Sequence, residues 1–200
     1  ARCIGTNAPE TAEALMQLSG FTEFIETDHT AWDLHISSYI LEILNDEYRR
    51  IFQVPPEDQI YFDAVLRSYL RTDWRFRNGV SYTLSGTRVS GDVDTTVGNT
   101  IIHIALNEAV SRLSGLKPAD FGQRCKGDDA VIGFNNCDGR GFDVSHFRDF
   151  GFIVKAQSRE SLYHVEFCSS WIMQTSTGQA MARNPWKTVS NTPFIHGVTS

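Results

Sequence analysis

Gly127-Asp128-Asp129 is the stretch of this chain with the plainest chemical potential. Two adjacent acids follow a glycine, between segments (Gly122 to Lys126 and Ala130 to Phe134) that read as the strands of a hairpin. Carboxylates at a tight turn suit a hard divalent cation, because Mg²⁺ takes oxygen ligands, usually one or two carboxylates plus substrate phosphates. Acids after a glycine also make ordinary surface turns. The meaning of the tripeptide therefore rests on what else the chain supplies.

Two further stretches bear on it. Phe24 to Asp28 reads as a short strand ending in an acid, and a second acid, Asp33, follows. Ile36, Ile40, Ile43, Leu44, Tyr48 and Ile51 then recur at helical spacing, which puts Asp28 at a strand end and Asp33 at a helix entrance. Taken alone, Asp33 has a simpler reading as an acid favoured by a helix N-terminus. The other stretch is Gly86 to Asn99. Its glycines and small hydroxyls make a loop that can approach a substrate closely. A helix is predicted over 94–113, and its apolar residues (among them Val97, Ile101, Ile104, Ala105 and Val110) lie all round, so burial is expected. Asn99 inside it needs partners for its amide. A satisfied core Asn, with Asp94 capping the helix, is the plainer alternative.

The elements between these stretches follow from pattern. Thr11 to Leu18 is weakly helical. A helix is expected over 57–72 after Pro55-Pro56, burying Phe62, Val65, Leu66 and Tyr69, with Arg67 and Arg71 one turn apart on a solvated face. A hairpin comes next. An Asn78-Gly79 loop alone would set Phe76 against Ser81 and mix the faces. A three-residue Arg77-Asn78-Gly79 loop pairs Phe76 with Val80 and Trp74 with Tyr82, keeps one apolar face, and gives Gly79 the left-handed position. After the acidic turn, a polar loop (Asn135 to Gly141), a short helix (Val144 to Phe150) and a strand (Phe152 to Lys155) are expected. A strand pair is expected over 163–168 and 170–174, and the tail from Ser176, rich in Ser, Thr, Asn and Pro, reads as loop. The fold class is α+β: a small antiparallel sheet with helices packed on one face.

The totals bound the function. The chain has 200 residues, of which 41% are hydrophobic, enough for one domain with a real core. A formal net charge of −6 argues against a protein that coats nucleic acid by bulk attraction, though not against one that holds phosphates through metal ions. No apolar run is long enough to cross a bilayer. Four scattered cysteines (Cys3, Cys125, Cys137 and Cys168) lack zinc spacing, even with His146 nearby, and are expected to be reduced thiols of an intracellular compartment.

Taken together, the three stretches resemble the palm domain of RNA-dependent RNA polymerases from positive-strand RNA viruses, over about Phe24 to Ile172. Asp28 to Asp33 resembles the family's motif A, Ser90 to Asn99 its motif B, and Gly127-Asp128-Asp129 its motif C. Val144 to Lys155 is similar to motif D, and Phe167-Cys168-Ser169 to motif E. Gly86 to Asp92 and Glu26-Thr27-Asp28 look most like the tombus-like and noda-like group. The resemblance implies RNA synthesis from ribonucleoside triphosphates on an RNA template. It implies two Mg²⁺ or Mn²⁺ ions on Asp28, Asp128 and Asp129, and a ribose site of Asp33 and Asn99 assisted by Ser90 and Thr95. Lys155 stands nearest the family's general acid.

The resemblance divides the chain into a segment leading from the fingers (1–23), the palm (24–175, with 57–85 as a helix-and-hairpin insertion) and a tail toward a thumb (176–200). Only Arg2 precedes Asp28 among basic residues, where the family carries a basic fingers segment. The chain is therefore read as a palm-centred excerpt, inactive alone, whose partners include the nascent strand and the rest of the replicase. Its expected place is the host cytoplasm, in membrane-associated replication complexes reached through regions outside this chain. A reverse transcriptase palm shares the metal acids but typically carries a bulky residue where Asp33 stands and lacks the helix Asn. A non-catalytic, RNA-binding palm remnant has no need of intact acids, and a metal-dependent hydrolase of another fold leaves Asn99 unexplained.

Overall fold

Burial alternates along Glu23–His29, β1, and this alternation makes it the spine of the molecule: Ile25, Thr27 and His29 are buried while Glu26 and Asp28 face elsewhere. A computed structural model describes residues 6–89, 91–136 and 139–191 of the chain. In it β1 lies inside a four-stranded antiparallel sheet with β4 (Phe121–Lys126), β5 (Asp129–Phe134) and β6 (Val154–Arg159), in the order β4-β5-β1-β6. The hairpin expected around the acidic turn is present, with Lys126 opposite Asp129.

One face of the sheet carries the larger core. Ile25, Phe121, Ile132 and Phe134 pack there with Leu41, Leu44 and Tyr48 of α3 (Ser38–Ile51), and with Ile102, Leu106 and Val110 of α5 (Thr95–Leu113). This is the expected α+β arrangement. The opposite face holds a second, smaller core, in which Phe24 and Val131 meet Ala12 and Leu15 of α1 (Ala8–Met16) and Leu162, Val165, Phe167 and Ile172.

Several local expectations are corrected. The helix after Asp28 is broken: Trp32–His35 forms a short α2, and Ser37 then caps α3, its side chain accepting from the Ile40 amide. Asp33 therefore lies in α2 and not at the start of the long helix. The next helix, α4 (Gln59–Ser68), ends early, so Arg71 opens β2 (Arg71–Arg75) and does not share a helix face with Arg67. Leu66 is buried, but Val65 is 49% exposed. In α5, polar Asn99, Thr100, His103 and Asn107 take the buried face while Ala105 is exposed, so its apolar ring is not all inside. Strand β6 starts at Val154, two residues later than expected.

The partner of β7 (Ser170–Thr175) is β8 (Gly178–Arg183); the 163–168 segment takes part in a 3-10 turn (Leu162–His164) and a single Phe167–Ser170 bridge, and forms no strand beside β7. The described part of the tail, to Asn191, is thus not loop: β8 is followed by α6 (Pro185–Asn191). The three-residue hairpin loop is as expected. Trp74 pairs with Tyr82 between β2 and β3 (Ser81–Ser85), the Phe76 amide donates to the Val80 carbonyl at 2.8 Å, and Gly79 has φ +85°.

Candidate active site

The sheet register brings the acids together. Thr27 of β1 opposes Ala130 of β5, so Asp28 and Asp129 occupy the next level and, by strand alternation, the same face. On its other side Asp28 opposes Lys155 of β6. Gly127 and Asp128 form the two-residue turn of the β4–β5 hairpin, with Gly127 at φ +63° and the Asp128 side chain toward solvent. Asp28, Asp129, Lys155, Arg159, Glu166 and Lys187 help line a cleft of about 460 Å³.

The charges in this cleft are under tension. Burial first, then the Asp128 charge and more weakly Asp28, push the Asp129 carboxyl up to about 6, against a hydrogen bond from the Cys168 thiol and the Lys187 charge. A hydrogen bond to Glu166 raises the Lys187 ammonium, and the Asp129 and Asp28 charges add to the effect. Burial alone would raise Glu166, but hydrogen bonds from Lys187 and Asn184 outweigh it and hold the carboxyl below its usual range. Glu26 completes the wall: it accepts from the Glu166 amide at 2.7 Å and pairs with Arg159 at 2.5 Å.

A second constellation lies at the α2–α5 junction. The Asn99 Nδ2 donates to Asp33 Oδ1 at 3.1 Å. The 86–88 loop holds α2 there: the Thr87 amide donates to the Ile36 carbonyl and the Arg88 amide to the Asp33 carbonyl, at 2.7 and 2.8 Å. Thr95 stands in the first turn of α5 and donates to the Val89 carbonyl at 3.0 Å. Beneath the loop, the Arg88 guanidinium, 1% exposed, pairs with Asp94 at 2.6 Å, and Asp94 also accepts from the Tyr48 hydroxyl at 2.9 Å. Asp94 therefore does not cap α5 with its side chain. Gly98 leaves room for the guanidinium, since a Cβ there would stand 2.3 Å from Arg88 Nη2.

The third feature is a pair of buried histidines. His29 and His103 approach through their Nε2 atoms at 3.2 Å, and His103 Nδ1 lies 3.2 Å from the Gly127 carbonyl. Trp32 and Phe147 close around His29, with ring centroids 4.6 and 5.1 Å away. Burial lowers His29 to about 3, with the neighbouring His103 and His35 adding, and burial lowers His103 to about 4, so both rings are neutral near pH 7.

Comparison with known proteins decides the family. A model of the family described as viral RNA dependent RNA polymerase matches residues 22–197. The chain belongs to this polymerase family. It is similar to the RNA-directed RNA polymerase of Turnip crinkle virus, with 29% identity over 84% of this chain and 21% of that protein. It is also similar to those of Oat chlorotic stunt virus (28% identity, 80% of this chain, 22% of that protein) and Pothos latent virus (27%, 81% and 22%). The chain thus spans about a fifth of the length of these relatives, which bear out the tombus-like resemblance.

Measured against the polymerase motifs, the fold gathers Asp28, Asp128, Asp129 and Lys155 at one end of the sheet and joins Asp33 to Asn99. Ser90 lies outside the described residues, as do Cys3 and Cys137. Neither Cys125 nor Cys168 forms a disulfide among the described residues. Among the described residues no three His, Cys, Asp or Glu side chains are grouped tightly enough to hold a metal ion by themselves. The donor set nevertheless fits hard cations: oxygen ligands on adjacent strand ends, with Asp129 raised first by burial and then by like charges that a cation would relieve. Sequence reasoning missed Glu26, Arg159, Glu166 and Lys187 in the cleft, and the Arg88–Asp94 pair under the loop. Glu26 alone carried a signal, because it stands two residues before Asp28 on the same strand face.

Proposed function

We propose that this chain is the palm of an enzyme that copies an RNA template from ribonucleoside triphosphates. The observation that carries the proposal is the convergence of Asp28 with the Asp128-Asp129 turn, side chains far apart in sequence, at one end of the sheet. Asp28, Asp128 and Asp129 are the residues that would hold two Mg²⁺ or Mn²⁺ ions. Ions bound there would stabilise both the attacking and leaving oxygens of an in-line displacement. The protein's own share is placement and charge, because phosphoryl transfer asks for little else.

Asp33 and Asn99 serve the incoming ribose. Asn99 keeps its Oδ1 buried with no hydrogen-bond partner, and its Nδ2 holds the Asp33 carboxylate; this unspent acceptor beside a fixed carboxylate supports a role in engaging a 2′-hydroxyl. That pairing favours a ribonucleotide polymerase over a reverse transcriptase. Thr95 holds the loop beside them through the Val89 carbonyl, and Ser90 is assigned to assist the same site by its place in the polymerase motif. Lys155 is the proposed proton donor to the leaving pyrophosphate, a role supported by its exposed position on β6 opposite Asp28. Template, nascent strand and the fingers and thumb of a longer replicase are the partners this function requires, in membrane-associated complexes of the host cytoplasm. No described helix is long and apolar enough to cross a membrane.

Primer extension by the complete polymerase chain tests the assignment. Asp128→Ala should lower ribonucleotide addition by at least about a thousandfold, the order lost when a group central to charge stabilisation is removed. Lys155→Leu should lose about a hundredfold and alter the pH–rate profile. Full activity in Asp128→Ala would sink the metal assignment, and an unchanged profile in Lys155→Leu the proton-donor role.

A further inference from the structure

The face of α5 that meets the acidic hairpin is polar where a helix this buried could have been apolar. Both backbone groups of Gly127, the residue before Asp128, end on that face. The Gly127 amide donates to Thr100 Oγ1 at 2.8 Å, and the Thr100 hydroxyl donates in turn to the Thr96 carbonyl at 2.6 Å. The Gly127 carbonyl faces His103 Nδ1 at 3.2 Å. Thr100 and His103 are both 0% exposed.

The directions of these bonds are fixed. A carbonyl only accepts, so His103 Nδ1 carries the proton. The neutral ring then offers Nε2 as an acceptor, and the contact at 3.2 Å makes His29 Nε2 the donor. His29 follows Asp28 on β1, and in this tautomer its own Nδ1 is an acceptor, buried without a partner. One chain of hydrogen bonds therefore runs from His29, the residue after Asp28, through His103 to the carbonyl of Gly127, the residue before Asp128. Asn99, which orients Asp33, precedes Thr100 on the same helical turn. Lower on that face, Asn107 donates to Gln123 Oε1 of β4 at 3.0 Å, so α5 is bolted to the acidic hairpin at a second level.

We propose that Thr100, His103 and His29 are positioning residues that lock the Gly127 peptide to α5 and β1 and so set the separation of Asp28 and Asp128. This inference rests on the polymerase reading of the cleft. A hairpin tip in solvent could turn without such partners. Here one helical turn sets both the ribose pair and the acidic turn, and a displacement of about 1 Å at reacting groups can cost about a hundredfold in rate.

The test uses the complete polymerase chain. Thr100→Val and His103→Leu should each lower kcat about tenfold to a hundredfold with nucleotide KM within about twofold, as expected when placement and not binding is lost. They should also speed deuterium exchange in the peptide spanning 126–129, because the Gly127 amide loses its acceptor or its turn loosens. Thr100→Ser keeps the hydroxyl, and His103→Asn keeps a donor near the Nδ1 position, so both should recover most of kcat. Wild-type kcat in Thr100→Val and His103→Leu would overturn the proposal. So would a loss confined to KM, unchanged exchange at 126–129, or failure of both conservative variants to recover activity. A wild-type chain unable to extend any primer would instead overturn the polymerase reading; the exchange measurement is separate from that result.

Discussion

Asp129 shows how a residue acquires a role that its letter alone does not carry. Its carboxyl is raised because burial and two neighbouring acids disfavour its charge. On the proposed reading, a bound cation would relieve the acids together. Asn99 is the complementary case: it is nearly buried, one amide hydrogen is assigned to Asp33, and its oxygen is unsatisfied. An unsatisfied buried acceptor costs about 1–3 kcal/mol, which a ligand hydroxyl can recover. Asn99→Ala should therefore reduce the preference for ribo- over deoxyribonucleotides about tenfold or more, measured as a ratio of kcat/KM values in the complete chain. Unchanged selectivity would remove Asn99 from the ribose site. These residues were legible in sequence because a strand end, a helix Asn and a Gly-Asp-Asp turn occur in order. His29, His103 and Lys187 were not legible, because their partners are set by packing between elements distant in sequence.

At the scale of elements, the 86–99 segment is held by more than its glycines. Arg88 is the pin: it ties the loop to Asp94, reaches Tyr69 at 5.6 Å from the ring centroid, and fills the space that Gly98 leaves. Gly98→Ala forces a methyl onto a guanidinium held in place by Asp94. It should destabilise the chain by about 1–3 kcal/mol, read as a lowered urea midpoint with unchanged slope. A wild-type midpoint would mean that Arg88 can shift without cost.

Other elements show where pattern reading succeeds and fails. The β2–β3 loop was predictable because only one loop length keeps Trp74 and Tyr82 on one face. The β7 pairing was not. Its preceding turn uses Cys168 and Ser169, at φ 50° and 58°, with no glycine to mark it. Polar composition from Ser176 onward then disguised β8. Ser37 restarted a helix that apolar spacing alone carried through from Ile36.

At the scale of the whole molecule, the described residues build a core on each face of the four-stranded sheet, and stability should report the histidine pair. His29 and His103 titrate near 3 and 4 in the fold, against 6.5 for a free imidazole. Between about pH 4 and 6.5 the unfolded chain thus binds more protons, so these groups make stability rise with pH across that window and level off above it. Asp129, raised from 3.8 to about 6, works in the opposite sense over a similar range. The diagnostic is therefore a difference: urea midpoints of wild type minus His103→Asn should grow between pH 4.5 and 7. A flat difference would mean that His103 is not buried as a neutral ring.

The measurement that bears most directly on the central claim is an anomalous difference map from crystals of the complete polymerase soaked in Mn²⁺ with a nucleotide. The account predicts manganese peaks within coordinating distance of both Asp28 and Asp128, lost in an Asp128→Ala crystal. Peaks elsewhere, with Asp28 and Asp128 bound to no ion, would contradict it.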